Sequence, residues 1–251
     1  MTKAWFEYKG VNSLSKYLEI ENSISFASPE ADIEFIEVLG KDGDVAIDNG
    51  RLKGVTFPIN MRLAIPQDAG KTVNDVATEI SNWFKNDIGW YPLTFSGSPD
   101  YEYMALVHEQ FDILERLKTR GQVTINFRLK PYKRRVDSPT LTLSNGQNIE
   151  NPELRTSKPL IRIEAQGNIK LMNNGEDWLF INQNGGVDDS IIIDSDLMQA
   201  YKNVPIDPNR FNRMYGELPE LFPLLSTGDN VITWTGNVFN VEIEPRWEAV
   251  T

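Results

Sequence analysis

Apolar and polar residues alternate with a period of two along several stretches of this chain. The clearest is 122–130, where every second residue is large and apolar: Val123, Ile125, Phe127 and Leu129. Strict alternation is typical of a strand with one buried face. Val55–Ile65 predicts a second long strand, and Pro58 within it predicts an edge position or a bulge, because proline cannot donate to the ladder. The chain is therefore predicted to be mainly β.

One segment, 71–86, has helical periodicity instead. Its apolar residues recur at spacings of three and four and share one helix face: Val73, Val76, Ala77, Ile80, Trp83 and Phe84. Thr72 is predicted to cap the N-terminus, with Asp75 as its capping-box partner, and Gly89 follows the C-terminal end. The pattern predicts one main helix whose apolar face packs on a sheet.

Two dipeptides in the segment GKDGDVAIDNG indicate tight turns. Asp42-Gly43 and Asn49-Gly50 both favour the positive φ angles that hairpin turns need. The apolar stretch before them, Ile33–Leu39, predicts a strand. We therefore expect a hairpin over Gly40–Gly50. The other strands predicted in the first half are 4–8, 17–24, 90–96 and 101–108, the last two pairing across a turn at 97–100.

Composition changes at Val136–Pro152, where Ser, Asn, Pro, Gly and Thr dominate. We therefore predict two domains, 1–136 and 137–251. Short strands at close spacing predict a β-sandwich for the second domain, with a loop across one edge at Asn203–Pro223. Turns are predicted at 174–175, 185–186, 228–229 and 236–237. The strands predicted there are 141–143, 160–164, 168–172, 178–181, 190–194, 231–235 and 240–244.

Composition narrows the class of function. The 251 residues include no cysteine, which excludes disulfides, thiolate metal sites and a Cys nucleophile. No apolar run approaches the ~20 residues of a membrane span, so no membrane association is expected. The formal net charge is −11, and we interpret the one basic run, Lys130–Arg135, as a solvated domain end. No sequence-specific nucleic-acid binding is predicted. Because negative charge repels polyanions, the acidic excess would suit a surface along which DNA passes without binding.

Candidate chemistry is sparse, and no cofactor is predicted. The single histidine, His108, lies at a strand end without a nucleophile motif, so we do not expect a catalytic triad. Paired acids could hydrolyse a glycosidic bond across a cleft or bind calcium, but the carboxylates here follow neither pattern. We interpret them as solvated turn residues: Asp188, Asp189, Asp194 and Asp196. Sugar stacking remains open for five aromatics of the second half: Trp178, Tyr201, Tyr215, Trp234 and Trp247.

Four segments of the first half carry an ordered set of motifs: GVNSLSKYLEI, VLGKDGDVAIDNG, ISNWFKNDIGWYPLTFSGSPDYEYMALV and GQVTINFRLKPYKRR. Their matching positions are Trp83, Phe84, Gly89, Leu93, Pro99, Tyr101, Tyr103, Ala105, Gly121, Phe127, Pro131 and Tyr132. Matching pieces of the second half are Asn151-Pro152, Pro159–Ile163, Ile191–Asp194, Phe222-Pro223, Gly228–Asn230 and Glu244–Arg246. Their order over nearly the whole chain resembles the distal tail (Dit) proteins of long-tailed, non-contractile bacteriophages.

The resemblance implies a structural role without enzymatic activity. It implies that the first domain, a β-sandwich with a helix and a protruding hairpin, forms a homo-hexameric ring at the distal end of the virion tail. That ring would join the tail tube protein to the tail-tip proteins. It implies that the second domain, a galectin-like β-sandwich, faces outwards and anchors receptor-binding parts. Some members of that family carry a long insertion in the second domain, which this chain lacks. Direct binding of host cell-wall saccharide is therefore the alternative function, and the structural hub is the preferred one.

Ring closure by head-to-tail contacts needs two different complementary patches on each subunit. The hairpin could supply one of them by strand addition. We therefore expect an oligomer interface at five hairpin residues, and expect deletion of 41–49 to give folded monomers. These interface residues are Lys41, Asp42, Gly43, Asp44 and Asn49.

Overall fold

The computed structural model describes residues 3–21, 24, 26–181, 186–201 and 222–251. Most of the predicted edge loop at 203–223 lies outside these residues, as do Tyr215 and Gly185. The chain divides into two compact units. The first comprises Met1–Val136 with Val250–Thr251, and the second comprises Asp137–Ala249.

A curled antiparallel sheet and one helix form the body of the first unit. The helix, α1, spans Val73–Lys85. The strands are β1 (Phe6–Tyr8), β2 (Val11–Asn12), β3 (Leu18–Ile20), β4 (Ala31–Glu37), β5 (Asp44–Leu52), β6 (Val55–Ala64), β7 (Tyr91–Phe95), β8 (Ser98–Leu106), β9 (Ile113–Leu117) and β10 (Arg120–Arg135). The sheet order is β2-β1-β7-β8-β10-β6-β3, with β9 paired to β10, while β4 and β5 form a separate two-stranded sheet.

The predicted helix is confirmed, including its capping box. The Thr72 hydroxyl accepts from the Asp75 N–H at 3.3 Å, and the Asp75 carboxylate accepts from the Thr72 N–H at 2.9 Å. Two helix N–H groups that lack intrahelical partners are satisfied in this way. The apolar face packs into an aromatic core, with ring centroids of Phe84 and Tyr8 5.6 Å apart. The helix residues buried there are Val73, Val76, Ile80 and Phe84.

Two prolines lie inside strands of this sheet. On one side of β6, Pro58 pairs with Asn126 of β10. On the other side, β3 pairs only with Met61–Leu63 of β6 and does not extend to Pro58 in the described part of the chain. Because β6 lies between β10 and β3 in the sheet order, the prediction of an edge strand was wrong for β6 as a whole. At Pro58 itself, however, the missing N–H breaks no bond of the β3 ladder. Pro99 was expected in a turn at 97–100, but Ser98 already pairs with Phe95. The turn is thus shorter, and Pro99 belongs to β8.

A second antiparallel sheet encloses the core of the second unit, in the order β11-β17-β13-β15-β16. β12 pairs with β17, and β14 pairs with β13. The strands are β11 (Leu141–Thr142), β12 (Gln147–Asn151), β13 (Leu160–Asn173), β14 (Glu176–Ile181), β15 (Val187–Asp194), β16 (Gln199–Tyr201) and β17 (Gly228–Glu244). The last strand, β18 (Glu248–Val250), is not part of this sheet. The mainly β fold class with one helix is therefore confirmed.

Glycine positions explain where the predicted strands of this unit were wrong. The predicted strands 160–164 and 168–172 are one strand, β13, and 231–235 and 240–244 are one strand, β17. The turn expected at Gly236 is instead an irregularity inside β17, with φ +100°. A Cβ at this position would lie 2.3 Å from the Asn168 carbonyl oxygen, so glycine permits the close approach of the two strands. The turn at 228–229 was also wrong, because β17 begins at Gly228.

Candidate assembly surface

The β4–β5 hairpin is paired only with itself among the described strands. Its pairs run from Glu37 opposite Asp44 to Ala31 opposite Leu52. None of its residues is fully buried, and none contributes to either buried core. A two-stranded hairpin is at best marginally stable in water without a packing partner. This hairpin therefore has the properties of an element that is covered in an assembly.

Large apolar side chains are exposed on both faces of the hairpin. Phe35 lies opposite Ala46, and Ile36 lies opposite Val45. Directly opposed residues share a face and successive residues alternate, so these two pairs project to opposite sides. The exposed fractions are 37% for Ile33, 65% for Phe35, 40% for Ile36, 44% for Val38, 104% for Leu39 and 42% for Ile47. An exposed cluster of this kind is typical of an interaction surface.

The hairpin is also acidic, and its charges are paired only near its base. There, Arg51 contacts Asp32 at 2.6 Å, and Lys53 lies 3.7 Å from the same carboxyl group. The hydrogen bond from Arg51 holds the pKa of Asp32 below its usual range, and the two positive charges add to this. Within the described residues, the exposed carboxylates farther along have no ion-pair partner: Glu34, Glu37, Asp42 and Asp44.

The five predicted interface residues do not all lie at the same end of the hairpin. Lys41, Asp42 and Gly43 form the turn at the tip, and Asp44 begins β5. Asn49 lies towards the other end of β5, where a tight turn was expected and the structure has a continuous strand with an irregular register. The turn prediction there was wrong because Gly50 uses its positive φ of 67° inside a bulge, where its N–H donates to Asp48 at 2.8 Å.

The sequence analysis did not predict the residues that form the exposed apolar surface of the hairpin. Phe35, Ile36 and Leu39 lie in the predicted strand Ile33–Leu39, and Ile47 lies in the predicted hairpin Gly40–Gly50, but their exposure was not predicted. A signal was present, because IEFIEVL places apolar residues on both faces of a strand that is flanked by turn residues and acids. Such a strand needs cover on both sides, which this hairpin does not receive from the described part of its own chain.

The interpretation of the second-unit acids as solvated turn residues was wrong for Asp194. Asp194 is buried and accepts from Arg246 at 2.9 and 3.3 Å, as well as from the Asp196 and Leu197 N–H groups at 3.1 Å each. Burial lowers the pKa of Arg246, but the hydrogen bond and charge of Asp194 outweigh this and raise it. Asp194 is therefore a structural anion. Asp188 is exposed on β15.

Two of the five aromatics considered for sugar stacking are buried. Trp178 is 7% exposed and Trp247 is 6% exposed, and the Trp178 indole N–H donates to the Leu224 carbonyl at 3.0 Å. A buried ring cannot offer its face to a sugar. Trp234 and Tyr201 are half-buried. His108 is exposed, and its carbonyl oxygen accepts from Lys85 at 3.1 Å.

A groove of about 530 Å³ lies beside β9 on the polar face of β6 and β10. Its polar groups bond to each other, since Thr124 donates to Asn60 at 2.7 Å and Gln122 donates to Glu21 at 3.2 Å. Among the described residues, no three His, Cys, Asp or Glu side chains gather closely enough to hold a metal ion. No helix in the described part of the chain is long and apolar enough to cross a membrane.

The fold of this chain is similar to that of phage proteins of known structure. One similar solved structure is the Dit protein of SPP1 (gp 19.1), described as a paradigm of the hub adsorption apparatus in phages that infect Gram-positive bacteria. The TM-score is 0.69 at 16% identity, over 99% of this chain and 100% of that one. The resemblance inferred from the sequence is thus confirmed at the level of the fold.

A second solved structure, the phage P2 baseplate in its activated conformation with Ca, aligns with a TM-score of 0.48 and 9% identity. That alignment covers 100% of this chain and 99% of the other. No protein-family model matches the sequence. No curated protein matches it either.

Proposed function

We propose that this chain is the structural hub at the distal end of a phage tail. In this proposal six copies close a head-to-tail ring through the first unit, and the ring connects the tail tube to the tip proteins. The second unit faces outwards and anchors receptor-binding parts. The ring lumen conducts DNA, and the net negative charge of the chain disfavours binding of the DNA to the lumen. The chain has no enzymatic role in this proposal.

The observation that carries the proposal is the β4–β5 hairpin, a self-paired ribbon with apolar residues exposed on both faces. Head-to-tail rings need a patch that fits a different patch on the next copy. A hairpin that belongs to neither core meets this need because it offers exposed apolar residues and unpaired strand edges. Lys41, Asp42, Gly43, Asp44 and Asn49 belong to the proposed interface together with its apolar residues.

The structure allows a cleaner deletion than removal of 41–49, which would cut β5 in half. Replacing Ile33–Gly50 with Gly-Ser-Gly joins Asp32 to Arg51, whose carboxylate and guanidinium already lie 2.6 Å apart. We expect the purified wild-type chain to have the mass of a hexamer by light scattering and to show rings in negative stain. The shortened variant should be monomeric, with the same melting behaviour, because it removes no residue of either core.

The matched control is Leu154→Ser, since Leu154 is an apolar residue of the second unit that is 100% exposed. It should leave the ring intact. Rings that survive in the shortened variant would contradict the assignment of the hairpin. A wild-type chain that stays monomeric at high concentration would contradict self-assembly, and screening against cell-wall saccharides would then test the alternative function.

A further inference from the structure

A second unpaired element lies in the first unit, at strand β9. β9 pairs with β10 on one side, through Ile113–Val123, Leu114–Gln122 and Glu115–Gly121. No described strand pairs with its other side. Such a free edge presents backbone N–H and C=O groups that can accept a further strand.

Exposed apolar residues distinguish β9 from β3, the strand at one end of the sheet order. Leu114 is 52% exposed and Leu117 is 62% exposed. By contrast, β3 is three residues long and buries Leu18 and Ile20. The β9 edge thus combines free backbone groups with uncovered apolar surface, as the hairpin does.

Although β9 itself contains the exposed Glu115, three cations near its C-terminal end are opposite in charge to the hairpin carboxylates. Arg116, Lys118 and Arg120 are exposed, and in the described part of the chain none of them has a carboxylate partner. Arg116 only donates to the side-chain oxygen of Gln122, at 3.0 Å. The hairpin carboxylates Glu34 and Glu37 likewise have no ion-pair partner among the described residues. Complementary patches of this kind set the register and the partner of an interface.

We propose that the β4–β5 hairpin of one subunit docks along the free edge of β9 in a second copy of this chain. Strand addition pairs the free backbone edges, the exposed apolar residues of the two elements cover each other, and the cations of the β9 end face the hairpin carboxylates. The groove next to Leu114 gives room for side chains on that face of the added strand. This inference rests on the proposed ring and identifies the surface that receives the hairpin.

The absence of native cysteine allows a direct test by mixing two single-cysteine variants. One variant carries Phe35→Cys or Ile47→Cys in the hairpin, and the other carries Leu114→Cys or Leu117→Cys at β9. A disulfide forms only where the two Cα atoms come within about 7 Å. Any mixed disulfide between these variants joins two different chains.

We expect at least one of the four pairs to give covalent dimers under mild oxidation, in rings that light scattering shows to be intact. The collision control pairs Phe35→Cys with Leu154→Cys of the second unit, and should give only background dimer. Intact rings in which no hairpin–β9 pair exceeds this background would overturn the inference while leaving the proposed function standing. A wild-type chain that forms no rings would instead count against the proposed function.

Charge exchange gives an independent readout on the same surface. Arg116→Glu with Lys118→Glu should weaken ring assembly by on the order of tenfold or more, because like charges would then face each other. Adding Glu34→Lys with Glu37→Lys in the same chain should restore it. Assembly that is unchanged by the β9 reversal at low salt would overturn the charge pairing.

Discussion

Asp194→Ala tests whether the buried carboxylate of the second unit is structural. The wild-type carboxylate has two contacts to Arg246, at 2.9 and 3.3 Å, and accepts two N–H groups of the following turn at 3.1 Å. The Asp194 and Arg246 side chains are only 7% and 14% exposed. The substitution leaves the guanidinium with the weaker contact to Glu244 at 3.4 Å.

The expected cost follows from these contacts. Removing one partner of a buried ion pair typically costs about 3–5 kcal/mol, because the other charge stays buried without compensation. The two turn N–H groups each lose a bond with a net contribution of about 1 kcal/mol, although water can replace part of this. The retained contact to Glu244 acts in the opposite direction. We therefore expect the free energy of unfolding of the second unit to fall by about 3–4 kcal/mol.

The assay is guanidinium unfolding followed by tryptophan fluorescence, since Trp178, Trp234 and Trp247 lie in this unit. Asp194→Ala, Arg246→Met and the double variant complete a double-mutant cycle, in which the double variant should lose less than the sum of the single ones. The control is Asp177→Ala, which breaks an exposed pair with Lys170 at 2.6 Å and should cost at most about 1 kcal/mol. The reasoning would be refuted if Asp194→Ala cost no more than Asp177→Ala.

Three further predictions concern the helix, a buried acid and a close strand contact. Thr72→Ala should lower stability by about 1 kcal/mol through loss of the cap, with thermal melting as the measurement; an unchanged melting temperature would count against the cap. Burial raises the pKa of Glu102 despite Arg134, so the folded state holds this proton more tightly and loses stability as pH rises through that pKa. Glu102→Gln should therefore melt higher than wild type at pH 7 but not near pH 4, and equal differences at both pH values would contradict this. Gly236→Ala should destabilise the second unit by about 2 kcal/mol in chemical unfolding, because its φ is +100° and the new Cβ would meet the Asn168 carbonyl; wild-type stability would refute the close approach.

Local chemistry made α1 and the middle of β10 predictable. The helix N-terminus follows from Thr72 and Asp75, whose reciprocal hydrogen bonds need only residues three apart. Glycines were less informative. Gly50 and Gly236 both have positive φ, a conformation that tight turns and strand irregularities share, and here both lie inside strands. The choice between turn and bulge depends on the partner strand, which neighbouring residues do not specify.

The candidate surface was predictable only in part. Asp42-Gly43 indicated a turn at the tip of a hairpin, and the structure has one there. The exposure of Phe35 and Ile36 could not be predicted, because apolar residues in a strand usually indicate a core and only the tertiary fold shows that no core reaches them. The same limit applied to Trp178, whose burial depends on residues distant in sequence.

In the proposed assembly, the exposed hairpin has a consequence for a newly made chain. Before it meets a partner, it presents two open strand edges and a set of large apolar side chains, which favours irreversible aggregation with any exposed strand. The carboxylates of Glu34, Glu37 and Asp44 repel a second copy of the same hairpin. These charges therefore slow aggregation of the free chain. The same hairpin thus determines the solubility of the free chain and, in the proposed ring, the contact with the next copy.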